Sequence, residues 1–288
     1  MPELPEVEVV RRSLGRFISG HKIRKVHVFS NKLRYKISKN FKKTIENTVI
    51  VSIKRRAKFL LINLSNNKTI LLHLGMTGKV FLYNKKIKSI LDTSFYNQNE
   101  IIKKHNHFIF LLSNQLIMIY NDVRKFGFVK LLNTYQVNNN IHLSNLGPEP
   151  LSKNFNYNDL KLKFFKSQKN IKNFLMDQKS VSGLGNIYVN EILFYSSINP
   201  RILTTKLSKP QVLKIIKKTK KILLKSIQLG GSSIRDFKGT TGENGYFQQK
   251  FMVYGRENMI CKRKKCIGKI KKINIGNRSS FFCNKCQN

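Results

Sequence analysis

Apolar residues recur at helical spacing near the start of the chain. Val7, Val10, Leu14 and Ile18 stand three or four positions apart, and Pro5 suits the first turn of a helix. Acidic residues come before the basic ones in this segment, which is the order that the helix dipole favours. The pattern therefore predicts one helix at the N-terminus.

Short runs rich in β-branched and aromatic residues follow, from about position 22 to position 132. Asn, Gly and Ser separate the runs, as they commonly do at turns between strands. The eight runs are KVHVF, TVIVSI, KFLLINL, TILLHL, KVFLY, HFIFLL, LIMIY and FGFVKLL. They predict a β-sandwich or a β-barrel on which the N-terminal helix packs.

Helical periodicity replaces this pattern after the sequence GPEP at positions 147–150. A long helix begins at Ser208 as the N-cap, with Gln211 completing a capping box and Gly230 and Gly231 ending the helix. Three shorter helices are predicted at residues 159–168, 171–178 and 186–196. The second part of the chain is therefore predicted to be helical.

These changes of pattern predict an α+β protein with three domains. An N-terminal β-sandwich domain spans residues 2–134, a helical domain spans residues 150–240, and a four-cysteine segment spans residues 252–286. No apolar stretch approaches the roughly 20 residues that a membrane-spanning helix needs, and the N-terminus lacks the pattern of a secretory signal. We expect a cytoplasmic protein that is not inserted in a membrane.

All the cysteines lie in the last 28 residues, in two close pairs separated by sixteen residues. Four thiolates with this spacing match a tetrahedral structural Zn²⁺ site, and so short a segment needs a metal to hold a fold. Disulfide bonds are the alternative. The turn sequence at Gly276 and Asn277 predicts a β-hairpin that presents Arg278 near its tip. The four candidate ligands are Cys261, Cys266, Cys283 and Cys286.

The net charge of the chain indicates the kind of partner that it binds. The chain carries 55 basic and 14 acidic residues, a formal net charge of +41. Such a charge predicts a polyanionic partner, and nucleic acid is the commonest one. The alternative is compositional drift toward Lys, Asn and Ile without selection for binding.

The first residues carry candidate chemistry. A residue as small as Pro2 permits removal of Met1, which leaves a secondary α-amine. An α-amine titrates near pH 8, so about a tenth of it is unprotonated at pH 7, far more than of a lysine. Glu3 and Glu6 stand beside it as candidate proton donors and acceptors. The alternative is that these Pro-Glu pairs only begin a helix.

Seven motifs stand out along the chain: PELPEVE, RRAKFLL at 55–61, HLGMTG at 73–78, DVRKFG at 122–127, LGPEPL at 146–151, GLGNIYVNEILF at 183–194 and the four-cysteine tail. They occur in the order seen in bacterial formamidopyrimidine-DNA glycosylase, and the chain resembles that family over essentially its full length. The resemblance implies a DNA repair enzyme that excises oxidised purines, 8-oxoguanine and formamidopyrimidines, and then nicks the abasic strand by β,δ-elimination.

The resemblance also implies roles for particular residues. Pro2 is the nucleophile that attacks C1′ of the damaged nucleotide, and Glu3 is the proton donor for base departure and ring opening. Lys58 matches the lysine assigned to β-elimination, and Arg278 matches the zinc-finger arginine associated with δ-elimination. Glu6 is a supporting residue.

An enzyme of this family must extrude the damaged nucleotide and fill its place, because a base inside a duplex cannot present C1′ to a protein amine. Met76 and Phe126 suit an apolar wedge, and Arg124 can hydrogen-bond the orphaned base. The alternative is that Met76 and Phe126 are core residues beside a turn. The resemblance implies further DNA contacts at His73, His105, Lys166, Ser167 and Asn186.

The sequence departs from the family pattern in two places. Ser167 replaces a basic residue, and the first cysteine pair encloses four residues, 262–265, instead of two. Asn186 follows a glycine pair that looks like the turn of a helix-two-turns-helix motif. The loop at residues 232–246 resembles a lid over the extruded base.

Two other functions compete with this interpretation. One is an endonuclease VIII-like glycosylase for oxidised pyrimidines, although the PELPEVE start is typical of the purine-specific family. The other is a zinc-ribbon nucleic-acid-binding protein without catalysis. We expect a monomer whose partner is damaged double-stranded DNA and whose one cofactor is a structural Zn²⁺ ion.

Overall fold

The computed structural model describes residues 1–87, 89–91, 103–232 and 248–287. The chain forms two compact units, Met1–Ser144 with Leu229–Gln248, and Asn145–Gln228 with Gln249–Asn288. Apart from Ser232, the predicted lid lies outside the described residues. The three domain ranges 2–134, 150–240 and 252–286 stay predictions.

The first unit contains two antiparallel sheets with one shared apolar core. The five-stranded sheet has the order β1-β7-β8-β5-β6, and the four-stranded sheet has the order β2-β3-β4-β9. Its elements are α1 (Leu4–Ile18), β1 (Ile23–Val28), α2 (Phe41–Ile45), β2 (Ile50–Arg56), β3 (Phe59–Leu64), β4 (Lys68–His73), β5 (Gly78–Asn84), β6 (Ser89–Leu91), β7 (Asn106–Leu112), β8 (Leu116–Asp122) and β9 (Phe128–Asn133).

The apolar residues of α1 and of both sheets pack into one core, which confirms the predicted β-sandwich with a packed N-terminal helix. Val7, Val10, Leu14 and Ile18 are all buried in it, as the helical spacing predicts. The eight predicted apolar runs all contain strands. The sequence pattern does not reveal α2 and β6, because five and three residues are too short to show a period.

The second unit is helical and carries a C-terminal hairpin. Its helices are α3 (Tyr157–Lys166), α4 (Ile171–Met176), α5 (Asn186–Ser196) and α6 (Lys209–Gln228), and the hairpin consists of β10 (Ile270–Ile275) and β11 (Arg278–Cys283). Asn156 and Asn170 cap α3 and α4 through hydrogen bonds to backbone N–H groups. The backbone N–H of Ser208 donates to Gln211 Oε1 over 2.9 Å at the start of α6. The predicted α+β class is confirmed.

Among the residues that the structure describes, no helix is both long enough and apolar enough to cross a membrane.

Candidate functional site

Two buried carboxylates lie at the start of α1, directly after Pro2. Glu3 is 3% exposed and Glu6 is fully buried. Glu6 Oε2 accepts a hydrogen bond from the backbone N–H of Glu3 over 2.8 Å. Glu6 Oε1 accepts two more, each of 2.9 Å, from the backbone N–H and the hydroxyl of Ser232. Glu6 therefore fixes the backbone of Glu3 and ties it to the segment that begins the predicted lid.

Lys58 lies in the two-residue turn between β2 and β3 and is 6% exposed. The Arg55 side chain stabilises this turn. It donates one hydrogen bond to the carbonyl of Ala57 over 2.9 Å and another to Glu8 Oε2 over 3.0 Å. Burial alone raises the pKa of Glu8, but hydrogen bonds from Arg55 and two arginines of α1 bring it below its ordinary value. Glu8 thus anchors the lysine turn to the helix that carries Glu3.

His73 ends β4, near Lys58. Burial lowers its pKa to about 4, with smaller contributions from the positive charges of Lys58, Arg34 and His142. The backbone N–H of Gly75 donates to His73 Nδ1 over 3.1 Å. The neutral ring therefore carries its proton on Nε2, which can donate to an anionic group at neutral pH.

Two adjacent turns, which we call the paired turns, present three of the predicted DNA contacts. Residues 75–77 carry the half-buried Met76, and residues 123–127 carry Arg124 and Phe126. Phe126 is 45% exposed, and the Arg124 guanidinium lies 4.4 Å from its ring centroid. A Cβ at position 75 would lie 2.4 Å from the backbone nitrogen of residue 127, so only glycine permits this approach.

The carboxylate of Asp122 holds the paired turns together, and it is fully buried at the end of β8. Oδ1 accepts from the Thr77 hydroxyl over 2.5 Å and from the backbone N–H of Arg124 over 3.2 Å. Oδ2 accepts from the backbone N–H of Gly127 over 2.8 Å and from the Tyr120 hydroxyl over 3.2 Å. One side chain therefore sets the geometry of both turns.

Replacing Asp122 with alanine is expected to lower the free energy of unfolding by about 3 kcal/mol, because several buried donors lose their acceptor at about 1–3 kcal/mol each. Asp122→Asn keeps one carbonyl acceptor and should lose about half as much. Urea unfolding followed by circular dichroism measures both values. Asp159→Ala, at an exposed carboxylate of α3, is the control. An equal loss in Asp122→Ala and this control would contradict the role given to Asp122.

His105 lies half-buried in the 3₁₀-helix Lys103–His105, just before β7. The first residue of β7, Asn106, pairs with Asn121 of β8, so His105 stands at the same sheet end as the paired turns. His107 has a structural role, since its two ring nitrogens contact the Ser30 hydroxyl and the Asp122 carbonyl oxygen, each over 2.8 Å.

In the second unit, Asn186 contacts strand β11 at the residue next to Arg278. Asn186 begins α5, and its Nδ2 donates to the carbonyl of Ser279 over 3.0 Å. Arg278 is exposed at the first position of β11, directly after the turn at Gly276 and Asn277. Gly276 has φ of +57°, which favours glycine at this turn. The hairpin and the exposed arginine agree with the sequence prediction.

Lys172 contacts the strand that carries Arg278, a connection that the sequence analysis missed. It is fully buried on α4, and its Nζ donates to the Ser279 carbonyl over 2.8 Å and to the Ser280 hydroxyl over 2.5 Å. Burial, and then the charge of Arg278, lowers the pKa of Lys172 to about 8. A lysine in a short helix gives no sequence signal of such a long-range partner.

Lys166 and Ser167 lie at the C-terminal end of α3, on the wall of an open basic cavity of about 490 Å³. Lys169 also lines it and forms an ion pair of 2.6 Å with Asp177. The cavity thus places lysines around the position where Ser167 replaces the expected basic residue. Its lining residues are Leu162, Lys163, Lys166, Ser167, Lys169, Phe174, Lys179 and Ser180.

The four cysteines form one cluster of free thiols, with all their sulfur atoms within 4.8 Å of one another. Cys261 Sγ lies 3.8 Å from Cys286 Sγ, and Cys266 Sγ lies 3.6 Å from Cys283 Sγ. Zn–S bonds of about 2.3 Å in a tetrahedron require S···S distances of about 3.8 Å. A Cβ at position 268 would lie 2.7 Å from Cys283 Sγ, so the absence of a side chain at Gly268 leaves room for the cluster. The donor set and its spacing fit a tetrahedral metal ion.

Two family models match the chain. The family model described as "Formamidopyrimidine-DNA glycosylase N-terminal domain" matches residues 1–129. The model described as "Formamidopyrimidine-DNA glycosylase H2TH domain" matches residues 146–238. A β-sandwich with buried carboxylates at its N-terminal helix, a helix-two-turns-helix domain and a four-cysteine hairpin define a DNA glycosylase of base-excision repair.

Relatives and solved structures match this chain over its full length. Formamidopyrimidine-DNA glycosylase of Roseobacter denitrificans is 38% identical, covering 100% of both chains, and that of Rickettsia bellii is 37% identical, covering 100% of this chain and 99% of the relative. The structures of Lactococcus lactis Fpg with abasic-site DNA, and of an Fpg mutant with Fapy-dG DNA, each have a TM-score of 0.84 at 34% identity and 99% coverage of both chains. The chain belongs to the formamidopyrimidine-DNA glycosylase family, as its motifs predict, and is a glycosylase with AP lyase activity.

Proposed function

We propose that this glycosylase excises oxidised purines from double-stranded DNA with the amine of Pro2 as its nucleophile. The observation that supports this role best is the buried pair of carboxylates directly after Pro2, with Glu3 oriented by Glu6. Removal of Met1, whose side chain is 40% exposed, would free the amine. A secondary amine is suited to the reaction because the iminium that it forms is cationic without further protonation.

The proposed reaction begins when the Pro2 nitrogen attacks C1′ of the extruded nucleotide. The bond from C1′ to the base breaks, and the base leaves with its electron pair and a proton supplied by Glu3. Attack leaves an extra proton on the Pro2 nitrogen, and this proton passes to the Glu3 carboxylate. Glu3 then protonates the ring oxygen as the bond from C1′ to that oxygen breaks, which converts the C1′–N bond to an iminium. Loss of a C2′ proton expels the 3′ phosphate, and loss of a C4′ proton in a second elimination expels the 5′ phosphate. Lys58 assists the first elimination and Arg278 the second.

Glu3 is suited to proton transfer because its carboxyl group is buried and belongs to the residue next to Pro2. Lys58 is suited to its step because its turn is braced by Arg55 and Glu8, which limits the positions of its amine. Arg278 is suited to holding a phosphate because it is exposed beside a backbone that Lys172 fixes.

DNA binding is proposed to use the paired turns and separate phosphate contacts. Met76 and Phe126 would fill the space of the extruded nucleotide, and Arg124 would hydrogen-bond the orphaned base. The neutral His73 can donate through Nε2 to a phosphate. Asn186 contributes the N-terminal end of α5, where backbone N–H groups favour an anion. Further phosphate contacts are proposed at His105, Lys166 and Ser167.

We propose Zn²⁺ as the metal of the cysteine cluster. Cys261, Cys266, Cys283 and Cys286 would hold it, and four thiolates at tetrahedral spacing favour Zn²⁺ over oxygen-seeking cations. The metal would have a structural role, holding together the two cysteine pairs beside the β10–β11 hairpin. A monomeric state and a cytoplasmic location also stay predictions from the sequence.

The substrate preference is tested by comparing duplexes that contain 8-oxoguanine or thymine glycol. We expect faster strand cleavage at 8-oxoguanine under single-turnover conditions, with borohydride trapping a covalent adduct on that duplex. Faster cleavage at thymine glycol would favour the endonuclease VIII-like alternative. Absence of any adduct on either duplex, from protein that still binds them, would favour the non-catalytic alternative.

A further inference from the structure

The longer spacer of the first cysteine pair carries an arginine that docks on α5. Arg263 is half-buried, and its guanidinium donates to the Phe194 carbonyl over 2.6 Å and to the Ser197 hydroxyl over 2.8 Å. The guanidinium carbon also lies 4.8 Å from the centroid of the Phe194 ring. A two-residue spacer has fewer positions from which to present such a side chain.

The contacts fall on the C-terminal end of α5, where the Phe194 carbonyl accepts from this guanidinium and also from the backbone N–H of Ser197 over 2.9 Å. The last carbonyl groups of a helix are open to such donors because they lack the usual partner four residues later. Ser197 ends α5 in the left-handed conformation, with φ of 59°. The negative end of the helix dipole favours a cation at this place. A planar guanidinium can contact a carbonyl and a hydroxyl together, which an ammonium group does less well.

The same residue is joined to the cysteine cluster through its backbone and its side chain. Its backbone N–H donates to Cys261 Sγ over 3.5 Å, and its carbonyl accepts from the backbone N–H of Cys266 over 3.1 Å. Its guanidinium donates to the carbonyl of Cys286 over 3.5 Å. Four thiolates around a divalent zinc ion leave a net charge of −2, and a guanidinium this close offsets part of it.

We propose that Arg263 is a positioning residue of the metal centre, which docks the Cys261–Cys266 knuckle on the C-terminal end of α5 and offsets the negative charge of the metal–thiolate group. This inference rests on the proposed zinc site. The other end of α5 contacts the hairpin at Ser279, through Asn186. Arg263 therefore completes the attachment of the hairpin to α5, and this attachment holds Arg278 in place.

Zinc release tests the inference without using enzymatic activity. Purified zinc-loaded protein is mixed with a colorimetric chelator, and the rate of zinc transfer is measured for wild type, Arg263→Gln, Arg263→Lys and the control Lys264→Gln. Lys264 is an exposed cation in the same spacer. We expect release about tenfold faster from Arg263→Gln, since residues that orient metal ligands change metal affinity by about 10–100-fold. Arg263→Lys should be intermediate, because it keeps the charge and loses the forked contacts, and Lys264→Gln should match wild type.

The outcomes separate this inference from the zinc proposal. Wild-type protein without zinc would overturn both. One zinc in wild type, with wild-type release rates in Arg263→Gln and Arg263→Lys, would overturn only the role of Arg263. Equal acceleration in Arg263→Gln and Lys264→Gln would also overturn it, because the effect would then be one of net charge alone. If Arg263→Gln does not fold, Arg263→Lys decides, and a wild-type rate there would overturn the docking role.

Discussion

Replacing Pro2 with leucine is expected to abolish borohydride trapping and to lower the single-turnover rate of base excision by at least about a thousandfold. A leucine at this position is too large to permit efficient removal of Met1, so the chain would begin with a primary amine one residue farther from Glu3. The nucleophile would then be both chemically different and displaced. Gel analysis of trapped adducts on an 8-oxoguanine duplex measures the first effect, and quenched-flow product analysis measures the second.

The Pro2→Leu substitution should impair the chemical steps and leave DNA binding nearly unchanged. Pro2→Leu should bind a duplex with a stable abasic-site analogue within about threefold of wild type, since none of the side chains proposed to hold the duplex changes and threefold is under 1 kcal/mol. Pro210→Leu, the same substitution at an exposed position of α6, serves as the control and should trap normally. Normal trapping by Pro2→Leu, with Met1 retained by mass spectrometry, would refute the proposed nucleophile.

Removing the metal is expected to have the second large effect. The double substitution Cys261→Ser and Cys286→Ser leaves two thiolates, too few for a structural zinc site. Affinity for the abasic-analogue duplex should then fall at least about a hundredfold, because structural zinc sites contribute on the order of 10 kcal/mol to the folding of small domains. Elemental analysis should give about one zinc per wild-type chain and much less in the variant. Fluorescence anisotropy measures the affinity.

Chelation provides an independent version of the same experiment. Wild-type protein stripped of zinc should lose affinity to a similar extent and recover it when Zn²⁺ is added, whereas Mg²⁺ should not restore it, because thiolates bind Mg²⁺ poorly. Full affinity in metal-free protein, or in the double variant, would show that the hairpin holds its fold without metal.

Much of the fold could be predicted because the chain repeats simple periods. The spacing of Val7, Val10, Leu14 and Ile18 predicts α1, and each apolar run between positions 22 and 132 contains an observed strand. These signals are local, since each depends on residues within a few positions of one another. Helix α2, at Phe41–Ile45, spans little more than one turn and gives no such signal.

The residues that support the candidate site were harder to predict because their partners are distant along the chain. Asp122 belongs to a motif that the sequence analysis identified, but its hydrogen bond to Thr77 crosses 45 positions. The helical pattern accounts for Glu8 only as one of the acidic residues near the start of α1, and the structure adds its ion pair with Arg55, 47 positions away. Lys172 contacts a strand more than 100 positions later. Long-range hydrogen bonds leave no periodic trace in one sequence.

The sequence by itself determined the α+β class, the family, the candidate nucleophile and the four cysteines, because periodicity and motif spacing are properties of the chain. Only the tertiary structure decided how these residues are held. It shows Glu6 joined to Ser232, the two turns joined by Asp122, and Arg263 joined to the end of α5. The physical reason is that such contacts form only when folding buries polar groups that must then find partners, and the fold alone selects which partners are near.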